Sequence, residues 1–407
     1  MIYAPVLGYG FLTGWDDGWQ VLNPYTETWT WDNFRTILTD DYYRQYSPTN
    51  QTLYTILYHF VGYRPGWFHL MCLLLHASNS ILIFMILRKI LPVCHRSSMI
   101  AFLVALLFAA HTLQVESVAW ISASKILVYS FFYLWAIWFY LSYIKRDKIF
   151  WYAPMLVCFI LSFGGKEQAI TFPVCMFWID FVCRRKLRER KLWVVKIPVF
   201  LLTFFFVYLT FESYNSSMVG LLTKNDNYPF VHRTVFACYS FCEYIIKTFI
   251  PFNFLYMYPF PMLVGEPLPP KFWLYPVFLL VVGLAFWKFW KQRHVWLALF
   301  WFLIHTALML HIFPLTRANI IADRYVYLAL PGILFIVVRV FVVAWETRPQ
   351  LRRILSGTAL IWVMFLCVLA NQRTHVWRDN ESLKEKMNLL LQERRELLEQ
   401  NEYEHAQ

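Results

Sequence analysis

Residues 67–87 read WFHLMCLLLHASNSILIFMIL, and Arg88 and Lys89 follow at once. The run holds no Asp, Glu, Lys or Arg. As a helix it would reach about 31 Å at 1.5 Å per residue, enough to cross a hydrocarbon layer of about 30 Å. Comparable runs recur at Lys125–Ile144, Leu192–Phe211, Phe272–Trp290, Val295–Phe313, Val326–Trp345 and Ile354–Ala370. The whole chain agrees: 407 residues, 59% hydrophobic, 20% aromatic and only 15% charged, where a soluble domain carries about 25% charged residues. Mean hydropathy is +0.45. These runs are seven examples among others along the chain, and the whole pattern predicts an all-α polytopic membrane protein with about ten or eleven transmembrane helices and a long first outer loop.

A net charge of +12 raises the question of nucleic acid, and the placement of the charge answers it. Basic residues gather at 88–96, 145–148, 184–191, 288–293 and 339–353, each in or beside a short loop between apolar runs. That is the cytoplasmic signature of membrane proteins, so nucleic-acid binding is set aside. With these loops inside, residues 14–66, 111–125, 164–168, 212–271 and 314–324 fall on the outer face.

The run Val235–Ile250 is apolar but carries Glu243 and Lys247, and PFNFLYMYPFP follows it. A full crossing there would put the 288–293 cluster outside. Residues near 233–260 are therefore expected to form a re-entrant or interfacial helix pair. At the start, residues 1–13 offer about eleven apolar positions, too few for a span, and read as the remnant of a first transmembrane helix. The expected divisions are thus 1–13, an outer loop 14–66, a membrane domain 67–376 and a charged C-terminal helix 377–407.

Eight cysteines give no disulfide framework, and Cys238 with Cys242 is too small a set for a metal. Phosphate-loop, nucleophile-elbow and zinc-protease motifs are absent from the sequence. The chemistry has to come from the outer loops. Residues 14–19, GWDDGW, place Asp16 and Asp17 at the membrane boundary. Desolvation and mutual repulsion both raise a carboxylate's proton affinity, which suits a base that accepts a hydroxyl proton. The bland reading, a solvated acidic loop, fits Glu27, Asp32, Asp40 and Asp41 better.

Other polar groups sit at outer helix ends. His111, Glu116 and Lys125 share one short segment; Lys166 and Glu167 follow a Gly-Gly break; Arg317, Asp323, Arg324 and Tyr325 precede a span. Charges at membrane depth are costly and commonly mark a pathway or a site. Three cations on one face would suit an anionic ligand, the arginine matching phosphate oxygens best. The competing reading is that the lysines merely anchor helix ends among lipid headgroups.

At these residues the chain resembles a family. FLVALLFAAHTLQVESVAWISASK (102–125) is similar to a stretch of the transmembrane and TPR-repeat-containing O-mannosyltransferases and their bacterial relatives, glycosyltransferases of the GT-C fold. The likeness extends through GWDDGWQVLNPY (14–25), GWFHLMCLLLHASNSILIF (66–84), GGKEQAITFPVCMFWID (164–180) and IIADRYVYLALPGI (320–333), and ends near NQRTHVWRDNESL (371–383). The resemblance implies a GT-C-like helical bundle that moves a sugar from a polyprenyl-phosphate carrier to an acceptor hydroxyl, on a protein or a glycan, at the outer face. It also implies roles. Asp16 or Asp17, with Asp17 preferred, would be the base. His111 and Glu116 would shape the pocket, with Glu167, Asp323, Tyr325 and Tyr46 also lining it. Lys125, Lys166 and Arg324 would hold the phosphate. An inverting single displacement requires no metal, although a divalent cation could bind the paired aspartates.

The departures bear on the roles. Pro after the family's His is Thr112 here, its second His is Gln114, and its R-K-D is Ser124-Lys125-Ile126. Tyr46-Ser47-Pro48 stands for the usual Y-R-P. The repeat array is missing, and residues 380–407 read instead as one charged helix. Its stripe of Leu383, Met387, Leu390, Leu391, Leu397 and Leu398 suits self-association or docking. Two other functions stay open: a transporter or flippase of lipid-linked glycans, and a scaffold that kept the fold without activity. Few sequons and no repeats favour a bacterial inner membrane, with the site facing the periplasm.

Overall fold

The computed structural model describes residues 2–39, 46–186, 188–215, 228–252, 254–255, 257–285, 292–312, 319–386, 388 and 392. Helices dominate, and among the described residues the sole β-pairing is an isolated antiparallel bridge between Tyr258 and Ile321. Four short helices precede the membrane domain: α1 (Asp17–Gln20), α2 (Pro24–Glu27), α3 (Trp31–Thr39) and α4 (Pro48–Val61). They are followed by α5 (Pro65–Ile90), α6 (His95–Ala110), α7 (Val115–Ala119), α8 (Ser124–Arg146), α9 (Tyr152–Phe163) and α10 (Phe172–Val182). Next come α11 (Arg190–Val194), α12 (Ile197–Asn215), α13 (Phe230–Phe249) and α14 (Leu274–Ala285). The last three are α15 (Arg293–Thr306), α16 (Leu330–Thr347) and α17 (Arg352–Thr374).

Five helical segments are long and apolar enough to cross a membrane: Pro65–Ile90, Ile121–Arg146, Arg190–Leu209, Leu330–Thr347 and Pro349–Trp377. A sixth arises if His95–Ala110 and Thr112–Ala119, bent by 54° at His111, count as one broken span. The protein is an all-α integral membrane protein. Ten or eleven full crossings are not seen among the described residues. Three further apolar helices, Ile149–Phe163, Pro270–Ala285 and Arg293–Met309, have at most 17 residues. At 1.5 Å per residue Ile149–Phe163 and Arg293–Met309 reach about 25 Å or less, short of the hydrocarbon thickness, while Pro270–Ala285 borders residues outside the described ones.

The pillar of the bundle is α8. Of its most apolar window 72% is buried, and Tyr133, Leu134, Ile137, Tyr140 and Leu141 are all sealed in the core. It packs on α5 and α9. At the opposite extreme, the α17 segment is only 11% buried and presents Ile354, Leu360, Ile361, Met364 and Val368 outward. A contiguous apolar surface of that extent needs lipid against it. Near the basic end, a buried ionic cluster ties three helices. Asp180 of α10 receives Lys196 at the start of α12, the Tyr140 hydroxyl of α8 at 2.9 Å and Arg185 at 3.0 Å. Asp180 and Lys196 are fully buried, so each charge needs the other.

Several expectations are refined. Residues 4–8 form one 3-10 turn, with Tyr3, Val6, Tyr9 and Leu12 buried. The Tyr9 hydroxyl meets Thr374 Oγ1 and His375 Nδ1, both at 3.1 Å, at the end of α17. The 233–260 region is one helix, α13, and then a non-helical stretch, not a helix pair. That stretch runs beside residues 319–321: Ile320 N donates to Tyr258 O at 2.8 Å and Tyr258 N to Asn319 Oδ1 at 3.2 Å. Of the C-terminal helix, residues 380–386 are helical with Leu383 buried; Met387, Leu390, Leu391, Leu397 and Leu398 lie outside the described residues. Asp40, Asp41 and Arg317 do as well.

Candidate functional site

The tandem acid divides at its first bond. Asp17 is 1% exposed, and its carboxylate accepts Leu12 N at 2.9 Å, Ser122 N at 2.9 Å and the Ser122 hydroxyl. It therefore stitches the N-terminal segment to the entrance of α8. Burial lifts its pKa from 3.8 to about 6, against the pull of the Ser122 and Leu12 donors. Asp16 stays partly exposed, and Gln20 Nε2 donates to its Oδ2 at 3.4 Å. Gly18 completes the turn because a Cβ there would stand 2.3 Å from the Thr13 carbonyl oxygen.

The other end of Gln20 leads to the cations. Lys125, in the first turn of α8, donates to Gln20 Oε1 at 3.2 Å. Its ammonium lies in the field of Lys166, Asp16, Glu167 and Arg324. Lys166 follows the Gly164-Gly165 break, 9% exposed, with its Nζ 3.9 Å from Glu167 Oε1. The break lets two chains approach: a Cβ at Gly165 would stand 2.8 Å from Tyr129 N. Helix α4 sets the spacing of both lysines. Its Thr49 N donates to Gly164 O at 2.8 Å, and its Tyr54 hydroxyl meets Ser124 Oγ at 2.7 Å and Ile121 O at 2.9 Å.

Arg324 closes the cluster. Its guanidinium pairs with Glu116, whose second oxygen accepts Arg324 N at 2.9 Å. It lies over the rings of Trp120 at 5.4 Å and Tyr325 at 5.0 Å. The Glu116 side chain is 1% exposed and that of Arg324 16%, so the arginine is held from behind and open in front. Asp16 is among the charges it senses. Asp16, Lys125, Lys166, Glu167 and Arg324 thus gather at one place, with Glu116 and Tyr325 supporting them. Beside Gln20, a small cavity of about 30 Å³ is lined by Trp19, Tyr25, Asn50, Gln51 and Tyr54.

Three predicted residues stand behind or away from this cluster. His111 is 1% exposed with both ring nitrogens engaged, Nδ1 near Leu113 N at 3.2 Å and Nε2 near Thr248 O at 3.1 Å, so it fastens the helix break to α13. Asp323 is wholly buried, paired with Arg373 and accepting the Tyr258 hydroxyl at 3.3 Å. The Tyr46 hydroxyl donates to Leu38 O at 2.9 Å within the first outer segment. Sequence reading missed Gln20, Ser122 and Arg373, which also donates to Thr112 O at 2.7 Å and covers Phe254 at 3.8 Å. A lone arginine beyond the apolar run of α17 was the only signal for the last.

The paired aspartates are already engaged. The oxygens of Asp17 accept three donors, and Asp16 lies in the field of Lys125 and Arg324. Among the described residues no three His, Cys, Asp or Glu side chains are grouped as metal ligands. All eight cysteines are free thiols.

No protein-family model matches the chain, and no solved structure matches it. A 149-residue stretch is 31% identical to the protein O-mannosyl-transferase TMTC3 of Mus musculus. That match covers 35% of this chain and 15% of the mouse protein, so the chain spans a small part of the relative's length.

Proposed function

We propose that the protein is a membrane glycosyltransferase that moves a sugar from a polyprenyl-phosphate carrier to an acceptor hydroxyl on the outer face. The observation that carries this reading is the convergence of Asp16 with Lys125, Lys166 and Arg324 where apolar helices end. Asp16 takes the acceptor proton. The freed oxygen attacks the anomeric carbon, the bond from that carbon to the phosphate oxygen breaks, and the carrier phosphate leaves with the electron pair. Lys125, Lys166 and Arg324 stabilise the charge that builds on it, which is where preorganised cations contribute most. Gln20 couples the two halves by bonding Asp16 and Lys125 together. Asp17 becomes a positioning residue, because its carboxylate is saturated by donors. The carrier chain lies against the lipid-facing helices, and the acceptor is a protein or a glycan.

The test is radiolabelled sugar transfer from polyprenyl-phosphate donors by membranes carrying the protein. Asp16→Asn is expected to lower kcat about 10²–10⁴-fold, the usual worth of a general base. Its donor KM should hardly move, and Arg324→Gln should raise that KM. Equal transfer by wild type, Asp16→Asn and Asp17→Asn would remove the tandem acid from the mechanism. An unstimulated background in every case would leave the scaffold reading in place of an enzyme.

A further inference from the structure

Near its middle, away from the acid–cation cluster, helix α16 carries one charge in an otherwise apolar run, LPGILFIVVRVFVVAW. That charge, Arg339, is partly buried and has no ion pair or hydrogen bond among the described residues. It sits eight residues before the end of α16, about 12 Å along the axis. An arginine so placed costs free energy unless something anionic meets it. The nearest charge it senses is Arg96, a like charge already paired with Glu346.

Two spaces meet at this arginine. On one side a crevice of about 130 Å³ runs between α5, α10, α15 and α16, walled by Ile86, Leu87, Trp178, Leu297, Trp301 and Phe335. The indole nitrogens of Trp178 and Trp301 are spent on Leu297 O at 2.9 Å and Leu328 O at 2.8 Å, so they offer nothing to a polar ligand. On the other side a groove of about 560 Å³ follows α16 to the start of α17, along Val340, Val343, Ala344 and Leu355. Arg339 and His294 line both spaces, and Arg348 lines the groove.

We infer that this is a binding site for one anionic diacyl phospholipid of the leaflet on the basic-loop side. The phosphate sits at the loop end on Arg348 and His294 with the Arg339 guanidinium reaching toward it, and the two acyl chains run inward along the groove and the crevice. Two apolar spaces that share Arg339 and His294 match one headgroup with two chains. The surplus of cations selects an anionic lipid over a zwitterionic one, as basic pockets between membrane helices do. The inference does not rest on the transferase reading, since it uses none of the residues of that cluster.

The experiment reconstitutes the full chain in nanodiscs of phosphatidylcholine and phosphatidylglycerol, extracts it gently, and weighs the retained lipid by native mass spectrometry. One phosphatidylglycerol per chain is expected, with at least tenfold less in Arg339→Gln. Val340→Trp, at a position 65% exposed, should block the groove and give the same loss without disturbing the packed interior. It carries the test if Arg339→Gln does not fold. Equal retention of phosphatidylcholine would overturn the proposal, as would full retention by Val340→Trp. Displacement of phosphatidylglycerol by equimolar polyprenyl phosphate, or by glycerol phosphate, would overturn the assignment of the occupant.

Discussion

Between Asp16 and Asp17 the backbone turns one carboxylate inward and leaves the other at the edge of the cation cluster. The inward one carries a measurable signature. Burial raises Asp17 from 3.8 to about 6, so the folded chain takes up a proton that the unfolded chain refuses until the pH nears 4. The stability tied to this group is fully present below its unfolded value and is lost as pH rises through about 6. At 1.36 kcal/mol per unit, the swing is of order 3 kcal/mol. Thermal melts in detergent should therefore show wild type gaining on Asp17→Asn as pH falls from 7 to 4.5. A constant gap between the two across that range would refute the assignment. The pair of acids was legible in the sequence, but which of the two faces the cations was not. Adjacent residues share composition, spacing and charge, and only the donors supplied by Leu12 and Ser122 tell them apart. Ser122 lies 105 residues away along the chain, beyond the reach of any local pattern.

Among elements, the most informative tie is the cluster that joins α8, α10 and α12 through Tyr140, Asp180, Arg185 and Lys196. Removing one member of a fully buried ion pair strands the other. Asp180→Ala is expected to cost about 3–5 kcal/mol, read as a large drop in Tm. The double change Asp180→Leu with Lys196→Met should recover most of that loss, since Arg185 is 19% exposed and can turn to water. A double variant as unstable as the single one would mean that the pair does more than neutralise itself. At this scale the sequence was a fair guide to which runs are helical and a poor guide to where they stop. Apolar content marks a helix but does not show that its length falls short of a crossing. The bend at His111 rests on a contact to Thr248, 137 residues on, which hydropathy cannot register.

For the molecule as a whole, the proposed topology puts the cation cluster and the arginine-rich loops on opposite sides of the bilayer. Cys94 offers a direct check. It is exposed, sits between Arg88–Lys89 and Arg96, and its thiol is held below the ordinary value by a hydrogen bond with Ser97. A membrane-impermeant maleimide should label it in inverted vesicles and leave it untouched in intact cells, with Cys94→Ser removing that signal. Labelling from the other side would invert the whole scheme and move the proposed chemistry with it. The broad architecture was readable because a membrane imposes length and charge rules on every crossing. Charge placement put residues 16, 125, 166 and 324 on one outer face, and the resemblance gave them roles, but no rule of periodicity brings four separate loops to one point.

The glycine after the tandem acid carries an evolutionary consequence. With a carbonyl oxygen 2.3 Å from where its first side-chain atom would be, position 18 has no room for any other residue while the turn keeps its shape. A library randomised at that codon and sorted for folded protein should return glycine alone, before any selection on sugar transfer is applied. Drift through this chain can then alter the acids singly but cannot enlarge the hinge on which both are mounted.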